Sequence, residues 1–202
     1  MTKPILIVGG GPAGLAAAHS LATFGQACIL VEKEDRLGGA PILEGYAKLV
    51  PSGEWAKDAI GGMVDRAANH ELVDVRTGAT VTSFSGEAGN FAAGLSSGDS
   101  VDVSAAILCT GFTHFDSNNK PEWGFGTYPD VVTTSQVEQM ISSGKGVRCP
   151  SDGRKPQRVA ILLCVGSREE DGFTGCSRYC CPTAIKQAIK LNERGIDTTI
   201  FY

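Results

Sequence analysis

Continuous apolar runs alternate with helically spaced ones along the first part of the chain. Residues 4–9 (Pro-Ile-Leu-Ile-Val-Gly) are apolar without interruption and end in glycine, the pattern of a strand buried on both faces. A helix is expected from Pro12 to Phe24, because proline suits a first turn and Gly25 suits a left-handed cap. A second buried strand, Ala27 to Glu32, completes a strand-helix-strand unit with a right-handed crossover. Between Ser52 and Asn69, Trp55, Ala59, Ile60, Met63, Val64 and Ala67 recur at helical spacing, weakened by Gly61-Gly62. Four β-rich segments then follow, at 72–76, 80–85, 90–95 and 100–103, separated by glycine turns that predict an antiparallel meander. Ala105 to Cys109 reads as a further buried strand stopped by Thr110-Gly111.

Beyond residue 112 the pattern loosens into a Gly-, Pro- and Ser-rich stretch with one short helix near 135–141. It resumes with a buried strand from Val159 to Val165, a cysteine-bearing loop, a helix from Pro182 to Arg194 and a strand from Asp197. The organisation predicted is a dinucleotide-binding domain at 1–115, a connecting region at 116–156 and a partial second α/β domain at 157–202. The fold class expected is α/β, Rossmann-like, with a β-meander.

Composition narrows the function. The chain has 202 residues, 42% hydrophobic and 20% charged, and a net charge of −4, so it carries no general electrostatic footprint for nucleic acid. No apolar run approaches the roughly 18 residues of a membrane span, and no secretory leader is visible, so a cytoplasmic location is expected. Seven cysteines in such a chain favour thiol or metal chemistry over a disulfide framework.

Gly9-Gly10-Gly11-Pro12-Ala13-Gly14 fits G-x-G-x-x-G between a strand and a helix. Gly9 would make the tight turn, Gly11 would let backbone approach a pyrophosphate, and Gly14 would let helix pack on strand, with the helix N-terminus facing the negative charge. Glu32, 18 residues beyond Gly14, stands where a carboxylate accepts hydrogen bonds from a ribose diol. A glycine turn without a ligand is the plain alternative, and the loop by itself does not separate NAD from FAD.

Cys164, Cys176, Cys180 and Cys181 form C-x11-C-x3-C-C at a strand end and in the loop before a helix. Backbone amides, the helix dipole and Arg168, Arg178 and Lys186 would stabilise an anionic thiolate site there. Structural zinc favours paired C-x2-C knuckles around one ion at about 2.3 Å. A cubane iron-sulfur cluster offers separate corners to adjacent thiolates, which favours it here. Thiol-disulfide exchange at Cys180-Cys181 and plain core thiols remain alternatives. Cys28 and Cys109 are expected in the core, and Cys149 is assigned nothing. His19, His70 and His114 stand beside no nucleophile or metal set, so no catalytic residue is identified.

Leu108-Cys109-Thr110-Gly111 after a meander resembles flavoproteins with two dinucleotide-binding domains. That resemblance implies FAD, with Lys33 and Gly39 in the segment after the acidic residue, Val81 at the position whose backbone meets adenine, and Thr110 and Gly111 near the flavin nucleotide. Cys-Val-Gly-Ser-Arg at 164–168, Cys-Ser-Arg-Tyr-Cys-Cys at 176–181, and the segments at 120–126 and 128–133 resemble the flavoprotein of the heterodisulfide reductase family. This implies a flavin-containing electron-transfer subunit with a [4Fe-4S] cluster on Cys164, Cys176, Cys180 and Cys181. It also implies partner subunits or a small electron carrier, peripheral rather than spanning membrane association if any, and an oligomer when full length. The family's C-x2-C-x2-C-x3-C-P segment does not occur here, so the chain resembles the short form. It stops where that family would complete its second domain.

Overall fold

Ile5–Val8 forms β1 because its apolar side chains are covered on both sides, Leu6 and Ile7 being fully buried. Removing each such side chain from water stabilises the fold by about 1.5–3 kcal/mol. Helix α1 (Pro12–Thr23) follows, laying Gly14, Leu15, Ala18 and Ala22 inward, and strand β2 (Cys28–Val31) is buried throughout. Then come the short helix α2 (Ala40–Leu43), α3 (Ala56–Ala68), β3 (Val73–Arg76), β4 (Val81–Glu87), β5 (Asn90–Leu95), β6 (Ser100–Val103) and β7 (Ala105–Leu108). Helix α4 (Thr134–Ser142), β8 (Arg158–Leu162), α5 (Cys180–Asn192) and β9 (Asp197–Phe201) complete the order. This computed structural model describes residues 2–170 and 172–202.

The chain divides into two units, Met1–Leu43 with Ala56–Phe112, and Glu44–Trp55 with Thr113–Tyr202. In the first, a parallel sheet has the order β3-β2-β1-β7. The strand order reverses between β1 and β7, and in such sheets the crevice at that point, beyond the carboxyl ends of the strands, is where ligands bind. An antiparallel sheet β4-β5-β6 packs on the parallel one through Leu6, Ile29, Val31, Ala93, Leu95 and Val103.

Four differences from the sequence expectation have physical reasons. Residues 73–76 are not in the meander: β3 pairs parallel with β2, Cys28 opposite Val73, because α3 returns the chain as a crossover. The meander therefore has three strands. Strand β7 is an edge, with Leu108 76% exposed, and Cys109 is only half-buried, whereas Cys28 lies in the core. Strand β8 stops at Leu162, so Cys164 lies beyond it, and α5 begins at Cys180, so Cys180 and Cys181 occupy its first turn rather than the preceding loop. Pro182 sits in that same turn, where its missing N–H has no helical partner to lose.

In the second unit β8 and β9 form a two-stranded parallel sheet. Ala184 and Ala188 of α5 pack on Ile161, and Leu191 joins Ile141 of α4, Ala47, Val147 and Ile196. A buried polar knot accompanies these contacts. Glu138 accepts from the Ala47 amide (3.0 Å), from Gln187 Nε2 (2.8 Å) and from Lys186 Nζ (2.7 Å), and Lys186 also donates to Lys48 O (2.8 Å). These bonds hold segment 44–55 against both helices.

Candidate functional site

The first candidate site is built at the carboxyl end of the parallel sheet. Gly9, one residue past β1, has φ +110, and a β-carbon there would lie 2.2 Å from Cys109 O. A β-carbon on Gly14 would lie 1.9 Å from Gly9 O. Both positions therefore require glycine, for close approach of the β7 end and of α1 respectively. Gly11 caps α1 without a side-chain bond and meets only Gly39 Cα, 3.6 Å from its notional β-carbon. The N–H groups of Ala13 and Gly14, behind Pro12 in the first turn, find no acceptor among the described residues. Unpaired amides at a helix N-terminus are the donors a pyrophosphate needs.

Glu32 is 6% exposed, and both carboxylate oxygens are held by backbone: Gly10 N–H donates to Oε2 (2.6 Å) and Glu34 N–H to Oε1 (2.9 Å). Gly38 N–H donates to Gly10 O (2.9 Å), and a β-carbon on Gly39 would lie 2.7 Å from Gly11 Cα. The segment after β2 is thereby folded onto the glycine loop. Ala79 N–H donates to Glu32 O (3.0 Å), which brings the chain leading to Val81 alongside Glu32. Thr110 and Gly111 follow β7 beside Gly9, Gly111 having φ +72 and open space around it. Thus Gly9, Gly11, Pro12, Ala13, Gly14, Glu32, Gly39, Thr110 and Gly111 line one rim. Lys33 faces solvent and pairs with Glu34 at 3.6 Å. The role of Gly10, whose amide orients Glu32, is not visible in the motif, which leaves that position unspecified.

The second candidate site is the loop between β8 and α5. Its backbone is strained: Cys164 (φ 62), Arg168 (φ 59) and Arg178 (φ 58) are the non-glycine residues in the left-handed region among the described residues. Such conformations cost about 1–3 kcal/mol each and cluster at functional sites. The bonds they permit converge on sulfur. Arg168 Nη1 donates to Cys164 Sγ (3.6 Å), Ser177 Oγ to Cys180 Sγ (3.6 Å) and Arg178 N–H to Cys176 Sγ (3.3 Å).

Partial burial pushes the Cys180 thiol up, but hydrogen bonds from Ser177, Cys181 and backbone amides outweigh it and leave the thiol below its ordinary value. Desolvation and the neighbouring Cys180 raise Cys181. Arg168 is held protonated by its hydrogen bond to Cys164 and by the charge of Cys164, Cys176 and Cys181. The four sulfurs thus share one electrostatic neighbourhood, although among the described residues no three His, Cys, Asp or Glu side chains converge closely enough to hold a metal ion as they stand. Lys186 does not serve this site, because Glu138 and Lys48 O occupy its ammonium. Arg178 contributes its amide.

His114, which the sequence left without a partner, has one nitrogen at 2.8 Å from Tyr46 Oη and 2.6 Å from Glu44 Oε2. Nothing in the spacing of residues 44, 46 and 114 signals that meeting.

A fold of this topology, with a glycine loop at the switch point and an acidic residue closing the second strand, defines the class of dinucleotide-binding α/β domains. The family model for FAD dependent oxidoreductase matches residues 4–105, half of the chain, and the chain belongs to that family. It is similar to a ferredoxin:CoB-CoM heterodisulfide reductase subunit of Methanosarcina mazei, 28% identical over 288 aligned positions that include all of this chain and 36% of that protein. The alignment is longer than this chain, so the relative carries residues absent here. An H(2):CoB-CoM heterodisulfide,ferredoxin reductase subunit of Methanothermobacter thermautotrophicus is 39% identical over 110 residues, 50% of this chain and 16% of that protein. The chain spans about a third of the M. mazei relative's length. Among solved structures, Lactococcus lactis thioredoxin reductase superposes with TM-score 0.59 at 18% identity, over 98% of this chain and 55% of that one. L-proline dehydrogenase from P. horikoshii gives TM-score 0.54 at 18% identity, over 100% and 35%. These two establish the fold. No helix among the described residues is long and apolar enough to cross a membrane.

Proposed function

We propose that the chain is the flavin- and iron-sulfur-bearing part of an electron-transfer subunit in a heterodisulfide-reductase-like oxidoreductase complex. FAD would lie on Gly9, Gly11, Pro12, Ala13 and Gly14, with its ribose at Glu32, its adenine at the Val81 backbone and further contacts from Lys33, Gly39, Thr110 and Gly111. A [4Fe-4S] cluster would be held by Cys164, Cys176, Cys180 and Cys181. The observation that carries this reading is the cysteine loop itself, where three strained non-glycine residues bring an amide and a guanidinium onto thiol sulfur.

Bound FAD and a cluster would supply paired and single electron exchange respectively. The chain's own residues do the positioning. The Ala13 and Gly14 amides bind anionic oxygen, Glu32 is locked in place by Gly10 and Glu34, and Arg168 offsets thiolate charge. Among the described residues the donor set is sulfur with no carboxylate or imidazole among its hydrogen-bond partners, and adjacent thiols in the first turn of α5 suit separate corners of a cubane. Partners of this reading are the other subunits of such a complex or a small electron carrier, in the cytoplasm.

The contact between Cys180 and Cys181, with Cys180 shifted toward thiolate, supports a second reading as a flavin-linked thiol-disulfide centre. Anaerobic purification with flavin, iron, sulfide and zinc quantified separates the readings. About four iron and four sulfide per chain beside one FAD is the expected result. Stoichiometric zinc, or metal-free protein whose Cys180 and Cys181 alkylate only after reduction, would overturn it.

A further inference from the structure

We propose a binding site for a small phosphate-bearing anion in the second unit, at the end of α5 away from the cysteines. A pocket of about 340 Å³ lies between the loop after α4 and the segment after α5, with Lys145, Gly146, Arg148, Lys155, Arg194 and Ile196 in its wall. That volume is at the small end of the range for ligand sites. Among the described residues no acidic side chain lines it. In a chain of net charge −4, four cations around one small pocket is a local reversal of sign.

The cations are available. Lys155 Nζ donates to Arg194 O, but Lys145, Arg148 and Arg194 have no ion-pair partner among the described residues. Two acids adjacent in sequence to these segments are engaged elsewhere, Asp152 with Arg154 and Glu193 with Lys190 at 2.7 Å, and Asp197, after Ile196, is not in the pocket wall. The backbone adds donors: the N–H groups of Gly146, Val147 and Arg148 find no acceptor among the described residues, although Val147 is only 8% exposed. Gly146 is half-buried and Arg148 exposed, so the amide of the buried Val147 is the one that calls for an acceptor from outside the chain. Arg194 lies over the loop, its Nη1 2.9 Å from where a β-carbon on Gly146 would stand, and Gly146 itself has φ +73, a conformation that favours glycine.

Three free cations beside consecutive amides match an anion of charge two or more with several acceptor oxygens, and guanidinium forks favour phosphate. The pocket has no aromatic lining on which a base could stack, which separates it from single-stranded nucleic acid sites. The length of α5, about 20 Å at 1.5 Å per residue, separates it from the first-turn cysteines, so the site does not depend on what they hold.

Calorimetric titration of FAD-loaded chain with pyrophosphate, at constant ionic strength set with chloride, tests this. One saturable site per chain is expected, weakened at least tenfold in Lys145→Gln/Arg148→Gln. Gly146→Ala, which keeps every charge but strains the loop at φ +73 and crowds Arg194, should weaken it also. Lys57→Gln/Arg66→Gln, removing the same charge from α3 of the first unit, should bind as the parent does. Absent binding, or equal loss in both double variants, would overturn the proposal. So would hexaglutamate binding where pyrophosphate does not, since that marks an acidic protein partner instead.

Discussion

At the scale of single residues, the glycines of the nucleotide loop have separable duties. Gly14 serves packing, because its missing β-carbon would collide with Gly9 O at 1.9 Å. Gly11 serves access, since its nearest notional contact is an ordinary 3.6 Å. Gly14→Ala should therefore destabilise the first unit by about 1–3 kcal/mol, as overpacking does. Gly11→Ala should fold within about 0.5 kcal/mol of the parent, as a substitution free of steric conflict does, yet bind FAD more weakly. Thermal melts and flavin stoichiometry of the two variants check the contrast, and equal melting temperatures would contradict it. Gly9 and Gly14 were legible from sequence because backbone sterics exclude a side chain at both, and Gly11 because the motif reserves that position for close approach of a ligand. The part played by Gly10 was not, because its bond to Glu32 spans 22 residues and follows from how two loops fold together.

At the scale of elements, α4 and α5 are coupled by charge as well as by apolar packing. Glu138 is 3% exposed and Lys186, largely but not fully buried, is its counter-ion. Lys186→Met leaves that carboxylate uncompensated and should cost about 3–5 kcal/mol, most of it recovered in Lys186→Met/Glu138→Met. Trp55 and Trp123, the two tryptophans, both belong to the second unit, so urea denaturation followed by their fluorescence measures this element pair. A loss below about 1 kcal/mol would place the pair among the weakly contributing surface ones. The helices themselves were legible in apolar spacing. The partners of β3 were not, because a short strand looks the same beside a parallel neighbour as in a hairpin, and the neighbour is set by where α3 returns the chain. Lys186 was misassigned for a related reason: its place on the helix turns it from the cysteines toward α4.

For the whole molecule, ligand and stability are linked. FAD binding to the folded first unit alone should stabilise it by ~2.7 kcal/mol at a concentration of one hundred times the dissociation constant. Stripping flavin and re-adding it, with melting followed by far-UV circular dichroism, should lower and then restore the transition. An unchanged transition would argue that the glycine loop does not hold the nucleotide.

The amino-acid sequence by itself determined the α/β class, the first strand-helix-strand unit and the glycine turn that joins β1 to α1, because these rest on local sterics, on apolar period and on contacts close along the chain. It also placed Cys164, Cys176, Cys180 and Cys181 between the last two strands. Tertiary structure alone decided that β3 joins the parallel sheet, that segment 44–55 packs with α4 and α5, that His114 meets Tyr46 and Glu44, and that Arg168, not Lys186, faces the sulfurs. Each of those depends on which distant surfaces bury one another, a global free-energy balance that no window of neighbouring residues contains.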